Sequence, residues 1–191
     1  MTPARERWPE VLEFWFGETP GSSRREWFRK DAAFDATIRA RFADVHAAAA
    51  ARGLEAWRAS AEPMLALVVV LDQFSRNLFR DDARAFAQDA HALECAVQAL
   101  ARGDDLGLLP VQRQFLYLPF EHSEDRRDQE KSLDLFASLE AFEPTRGLGE
   151  WARRHHDIVA RFGRFPHRNA VLGRASTAEE IEFLKQPGSG F

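Results

Sequence analysis

An all-α fold follows from three features of the chain. Apolar residues recur at helical spacing almost throughout, no stretch alternates with the period of two expected of a half-buried strand, and one central segment is apolar on every side. A helix over residues 9–17 opens the series, with Pro9 suited to the first helical position, Val11, Leu12 and Trp15 on its apolar face, and Gly17 as its stop. A second helix begins after Asp31, aligns Phe34, Ile38, Phe42 and Val45, and ends at Gly53. Residues 63–79 contain the run MLALVVVL, which suits a helix packed on every side in the middle of the fold. Phe86, Ala90, Leu93, Val97 and Leu100 form a stripe closed by Gly103, and Leu133, Phe136, Leu139 and Phe142 form another; both are assigned to the core. A helix over 151–162 follows. The last, over 176–185, opens with the capping-box spacing Ser176-x-x-Glu179 and stops before Pro187, which brings the total to about eight to ten helices.

Short Gly- or Pro-marked connections between antiparallel helix pairs fit a helical-repeat superhelix or an irregular bundle, and no clean internal repeat decides between them. A length of 191 residues leads to the expectation of one domain, 1–191, with only the closing GSGF read as a flexible tail. Hydrophobic residues at 45% and aromatics at 12% supply enough apolar surface for a core and exclude a disordered chain. A formal net charge of −4 offers no basic footprint for nucleic acid. Charges interrupt the first residues where a secretory leader would be apolar, and the longest apolar run, 64–71, falls far short of the roughly 20 residues that span a bilayer. Cys95 is the only cysteine, so no internal disulfide or thiolate cluster can form, and it is expected to be neither catalytic nor metal-bound. These readings point to a cytoplasmic protein with no membrane or nucleic-acid partner and no cofactor.

Three polar segments are not explained by periodicity. In LDQFSRNLF, Asp72 and Arg76 share one helix face, as do Gln73 and Asn77, so polar groups extend a very apolar helix. They form either an intrahelical ion pair at a solvent-facing end or a rigid pocket wall. In YLPFEHSED, Ser123 can cap the helix that follows, with Glu124 and Asp125 in its first turn. Glu121 and His122 are then left beside an apolar stretch, where a carboxylate next to an imidazole can serve as a general acid/base pair. In RFGRFPHRN, preceded by His155 and His156, the charged groups Arg161, Arg164, His167 and Arg168 are interleaved with Phe162, Phe165 and Pro166 and need anionic partners. His155 falls on the apolar stripe Trp151, Ile158 and Phe162. Residues 121–130 carry five carboxylates and two arginines, so a salt-bridge lattice joining the second and third segments is one reading. An anion site is the other. Between the two arginines, Arg168 is assigned to the lattice and Arg164 to the site.

The stretches VLEFWFGE, LDQFSRNLFR, YLPFEHSEDRRDQE and HHDIVARFGRFPHRNAVLGRASTAEEIEFL, in that order, resemble the hallmarks of a bacterial protein family of unknown function. The resemblance implies an all-helical, tetratricopeptide-like array of helix pairs and supplies no activity or catalytic residue. The chain departs from the family pattern at Ser75, where proline is usual; serine can continue a helix that proline would kink.

Two functions compete. The first is binding or turnover of a small anionic ligand in a pocket shared by the three segments, with Glu121 and His122 catalytic and Asp72, Arg76, Asn77, His155, Arg164, His167 and Arg168 binding the ligand. Hydrolysis is the reaction class that fits it. No metal site is expected, because neither a His-Glu-x-x-His nor a Glu-x-x-His pattern is present. The second is a scaffold with a concave groove for a protein partner, the polar segments being structural lattice.

Overall fold

In the computed structural model, which describes residues 2–190, no β-strand occurs among the described residues. The helices are α1 (Trp8–Phe16), α2 (Ala32–Ala50), α3 (Ala61–Val68), α4 (Ser75–Leu78), α5 (Asp89–Arg102), α6 (Pro110–His122), α7 (Arg126–Ala137), α8 (Leu148–Phe162) and α9 (Ala178–Leu184). A π turn, Val69–Phe74, joins α3 to α4 in one continuous rod. The serine at position 75 allows this continuity: its hydroxyl donates to Leu71 O and accepts from His46 Nε2 at 2.8 Å.

The α3 rod is the hub. Every residue from Met64 to Leu71 is fully buried, and the rod packs against α1, α5 and α6, with α2 along its π turn and α4. From α5 to α8 each helix packs on the next, and a single apolar cluster runs from α1 to the start of α8. Ile158, Val159 and Phe165, with Phe162 and Phe183 against them, form a separate small cluster that seats α9.

Two of the sequence-derived helix ends stand, the stop of α1 and the start of α2. Gly17, at φ 70°, closes α1, and the Asp31 carboxylate accepts from the backbone N–H of Ala33 and Phe34 to cap α2. The left-handed residue after α2 is Arg52 rather than Gly53.

Several expectations are corrected. The buried face of α5 is His91, Ala92, Cys95, Ala96 and Ala99, while Val97 is 49% exposed and Ala90 is exposed. Alanines let α5 approach α3 and α6 closely, so the small-residue face wins over the bulkier stripe. In the next stripe α7 ends at Ala137 and Phe142 is exposed. The cap of α7 is Asp125, accepting from Arg127 N, and not Ser123. The capping box of α9 sits one residue later than expected, at Thr177 and Glu180, and Ser176 instead accepts from Asn169. Within GSGF, Gly188 O accepts from Arg154 and Ser189 Oγ donates to Leu184 O; Phe191 lies outside the described residues.

Candidate functional site

The π turn places Asp72 at the centre of the molecule with no exposed surface. Such turns carry one extra residue past a regular helix and recur at functional sites. The Asp72 carboxylate is held on three sides: His122 Nδ1 at 2.8 Å and Arg76 Nη1 at 3.0 Å meet Oδ1, and Gln73 Nε2 donates to Oδ2 at 2.6 Å. Burial alone would raise its pKa, but Arg76 and His122 outweigh burial and hold it well below the usual carboxylate range. Arg76 folds back over its own helix, donates to Asp72 O at 2.8 Å, and grips both oxygens of Asp89 at 3.0 and 3.1 Å. Asp89 is shared: Arg168 Nη1 reaches it at 3.2 Å.

Arg168 is buried between the rings of Phe86 and Phe165, 4.6 and 4.5 Å from their centroids. Desolvation and the nearby Arg76 lower its pKa to about 10. Among the described residues, one long ion pair is all the direct anionic contact this guanidinium has, and its Nε is buried without a hydrogen-bond partner.

Glu121 and His122 are adjacent in α6 but do not form the acid/base pair read from the sequence. His122 turns to Asp72, while Glu121 Oε1 lies 3.1 Å from His155 Nδ1, which also donates to Trp151 O. Burial, with Asp72 nearby, pushes the Glu121 pKa up to about 8, and burial lowers that of His155 to about 3. At neutral pH this contact therefore joins two uncharged groups. The two pairs adjoin, with the rings of His122 and His155 6.2 Å apart. His167, its pKa lowered to about 4 by burial, lies beside Phe165.

The structure thus gathers Asp72, Arg76, Glu121, His122, His155, His167 and Arg168, and leaves Asn77 and Arg164 outside. Asn77 donates to Asp35 at 2.7 Å, on the α2 side of the rod. Arg164 makes a two-point pair with Glu180 at 2.7 and 2.8 Å and ties α9 down. The assignment of the two arginines is therefore reversed in place: Arg168 reaches the polar cluster and Arg164 belongs to a peripheral lattice. Residues 121–130 do tie to the third segment, at Glu124, which accepts from Phe165 N at 2.7 Å and is gripped at 2.7 and 3.0 Å by Arg174, whose guanidinium also donates to Phe165 O. Asp89 and Arg174 are the members absent from the sequence-derived set, and Gln73, read there as part of the polar end of the central helix, was not assigned to the site. An aspartate opening a helix reads as a dipole partner, which hid Asp89.

Beside this cluster lies an open cleft of about 370 Å³. Phe86, Ala90, Leu93, Pro119 and Leu172 supply apolar lining, and Asp89, His122, Ser123, Glu124 and Arg168 the polar groups. The α5 stripe read as core is in part this lining. Another concavity, about 460 Å³ between α7 and α8, holds Glu140, whose carboxylate is already engaged by Gly147 N and Gly149 N. Among the described residues no three His, Cys, Asp or Glu side chains are grouped to hold a metal ion.

Residues 11–188 match the family described as bacterial protein of unknown function, DUF924. The chain belongs to this family. A solved structure of a protein of unknown function from Agrobacterium tumefaciens is similar over 94% of this chain and 97% of that one, at 43% identity and a TM-score of 0.86. Among curated proteins nothing matches. The DUF924 chain described here contains no helix, among its described residues, long and apolar enough to cross a membrane.

Proposed function

We propose that the protein binds a small anionic ligand with a short apolar body in the cleft beside α5 and α6, with Arg168 as its anchor. The observation that carries this reading is the unequal pairing of the buried charges. Among the described residues Asp72 has three partners, whereas Arg168 shares one carboxylate with Arg76 and keeps a buried Nε unpartnered. A desolvated guanidinium with spare donors is what a carboxylate or phosphate completes, and Phe86, Leu93 and Leu172 suit an apolar body next to it. The cytoplasm is the setting this reading takes, where the lone, buried Cys95 stays reduced.

Thermal shift against short dicarboxylates, fatty-acid-like monocarboxylates and phosphate monoesters tests it, because a ligand at 100 times its Kd adds about 2.7 kcal/mol of stability. In Arg168→Met the shift is expected to vanish while the unliganded protein holds or gains stability, since Asp89 keeps Arg76 and one buried charge is gone. An unchanged shift in Arg168→Met, or no shift with any of these anions, defeats the proposal.

A further inference from the structure

We infer that His122 is a general base oriented by Asp72, and that the cleft hydrolyses a small ester bearing the anionic group that Arg168 holds. The inference rests on the anion-binding reading and adds a reaction to it. The geometry starts at Asp72, whose carboxylate is fixed by Arg76 and Gln73 and receives His122 Nδ1 at 2.8 Å. A carboxylate accepts and cannot donate, so Nδ1 carries the ring proton and Nε2 carries the lone pair. Among the described residues no group hydrogen-bonds to Nε2, and the His122 ring lines the cleft. Burial and Arg76 lower the pKa of His122, which keeps the imidazole uncharged at neutral pH and able to take a proton.

Ser123 also lines the cleft, yet its hydroxyl donates to Asp128 at 2.7 Å and accepts from Asp125 N, so water is the nucleophile. A water proton passes to Nε2 as the water oxygen bonds to the ester carbonyl carbon. The carbon–oxygen bond to the alcohol then breaks, and the departing oxygen takes the proton back from Nε2. Ester and water become acid and alcohol, with no other reactant. Asp72 acts through His122 and is a positioning residue, set in place by the π turn.

The experiment uses the full chain and p-nitrophenyl half-esters of short dicarboxylic acids, with p-nitrophenyl acetate as the uncharged counterpart. Turnover of the half-esters is expected to exceed that of the acetate and to fall about a hundredfold in His122→Gln. Asp72→Asn is expected to lower kcat with KM nearly unchanged, and Arg168→Met to raise KM. Because Asp72→Asn removes a buried charge and can unfold the protein, carbethoxylation provides an independent reading. Diethyl pyrocarbonate is expected to modify His122 in the folded wild type, as mapped by mass spectrometry. Equal turnover by wild type and His122→Gln, or a His122 inert to the reagent, overturns the inference. If the free dicarboxylates still raise Tm through Arg168, only the base assignment falls; if they do not, the anion-binding reading falls as well.

Discussion

Glu121 holds its proton because, among the described residues, no cation reaches its buried carboxyl group: Oε2 has no hydrogen-bond partner there and Oε1 faces an uncharged imidazole. Its folded pKa of about 8 lies above the ordinary glutamate value of 4.5, so between those pH values the folded chain binds a proton that the unfolded chain has lost. Stability from this residue therefore falls as pH rises through that window. His155 and His167, lowered to about 3 and about 4 from 6.5, act with the opposite sign and lose stability as pH falls below 6.5. Above pH 6.5 only the Glu121 contribution remains of the three. Urea titrations should show wild-type stability declining from pH 6.5 to 8, with Glu121→Gln removing that decline and leaving the acid limb. A decline that persists in Glu121→Gln would place the titrating group elsewhere.

At the scale of the element, α5 carries the plainest contrast between two faces of one helix. Ala96 is fully buried where α5 meets α3 and α6, and Val97, the next residue, is 49% exposed. Ala96→Leu should therefore overpack the interface and destabilise by about 1–3 kcal/mol, against less than about 0.5 kcal/mol for Val97→Lys. Equilibrium urea unfolding of the two variants checks this; equal effects would mean that the helix is rotated from its described position. Periodicity favoured the bulkier stripe because apolar size is what a sequence displays, whereas close approach rewards small residues. The same stripe was not idle: Phe86 and Leu93 line the cleft.

Across the whole molecule, stability should be graded from the α3 rod outward. Main-chain groups of α3 lie under the continuous apolar cluster, while α9 rests on a small cluster of its own and on the Arg164–Glu180 pair. Segments with few buried apolar contacts open locally before the fold does. Hydrogen exchange is expected to be fastest at 178–184 and slowest at 61–74, and Arg164→Ala should speed exchange at 178–184 while leaving 61–74 unchanged. Uniform exchange across both segments would show instead that α9 opens only with the whole fold.

The sequence by itself determined the all-α class, the Gly17 stop of α1, the Asp31 cap of α2, and the buried centre at 64–71, because helical spacing, an N-cap aspartate and an uninterrupted apolar run act over a few residues each. It also brought Asp72, Arg76, His122, His155 and Arg168 into one expectation, since polar groups on apolar elements must find each other when buried. Pairing was beyond it. Which carboxylate each arginine takes depends on the distance between helices remote in the chain, so Arg168 met Asp89, Arg164 met Glu180 and Glu124 met Arg174. The direction of Glu121 against His122 was likewise decided by tertiary packing, because neighbours on a helix point about 100° apart and only the surrounding helices say what each will meet.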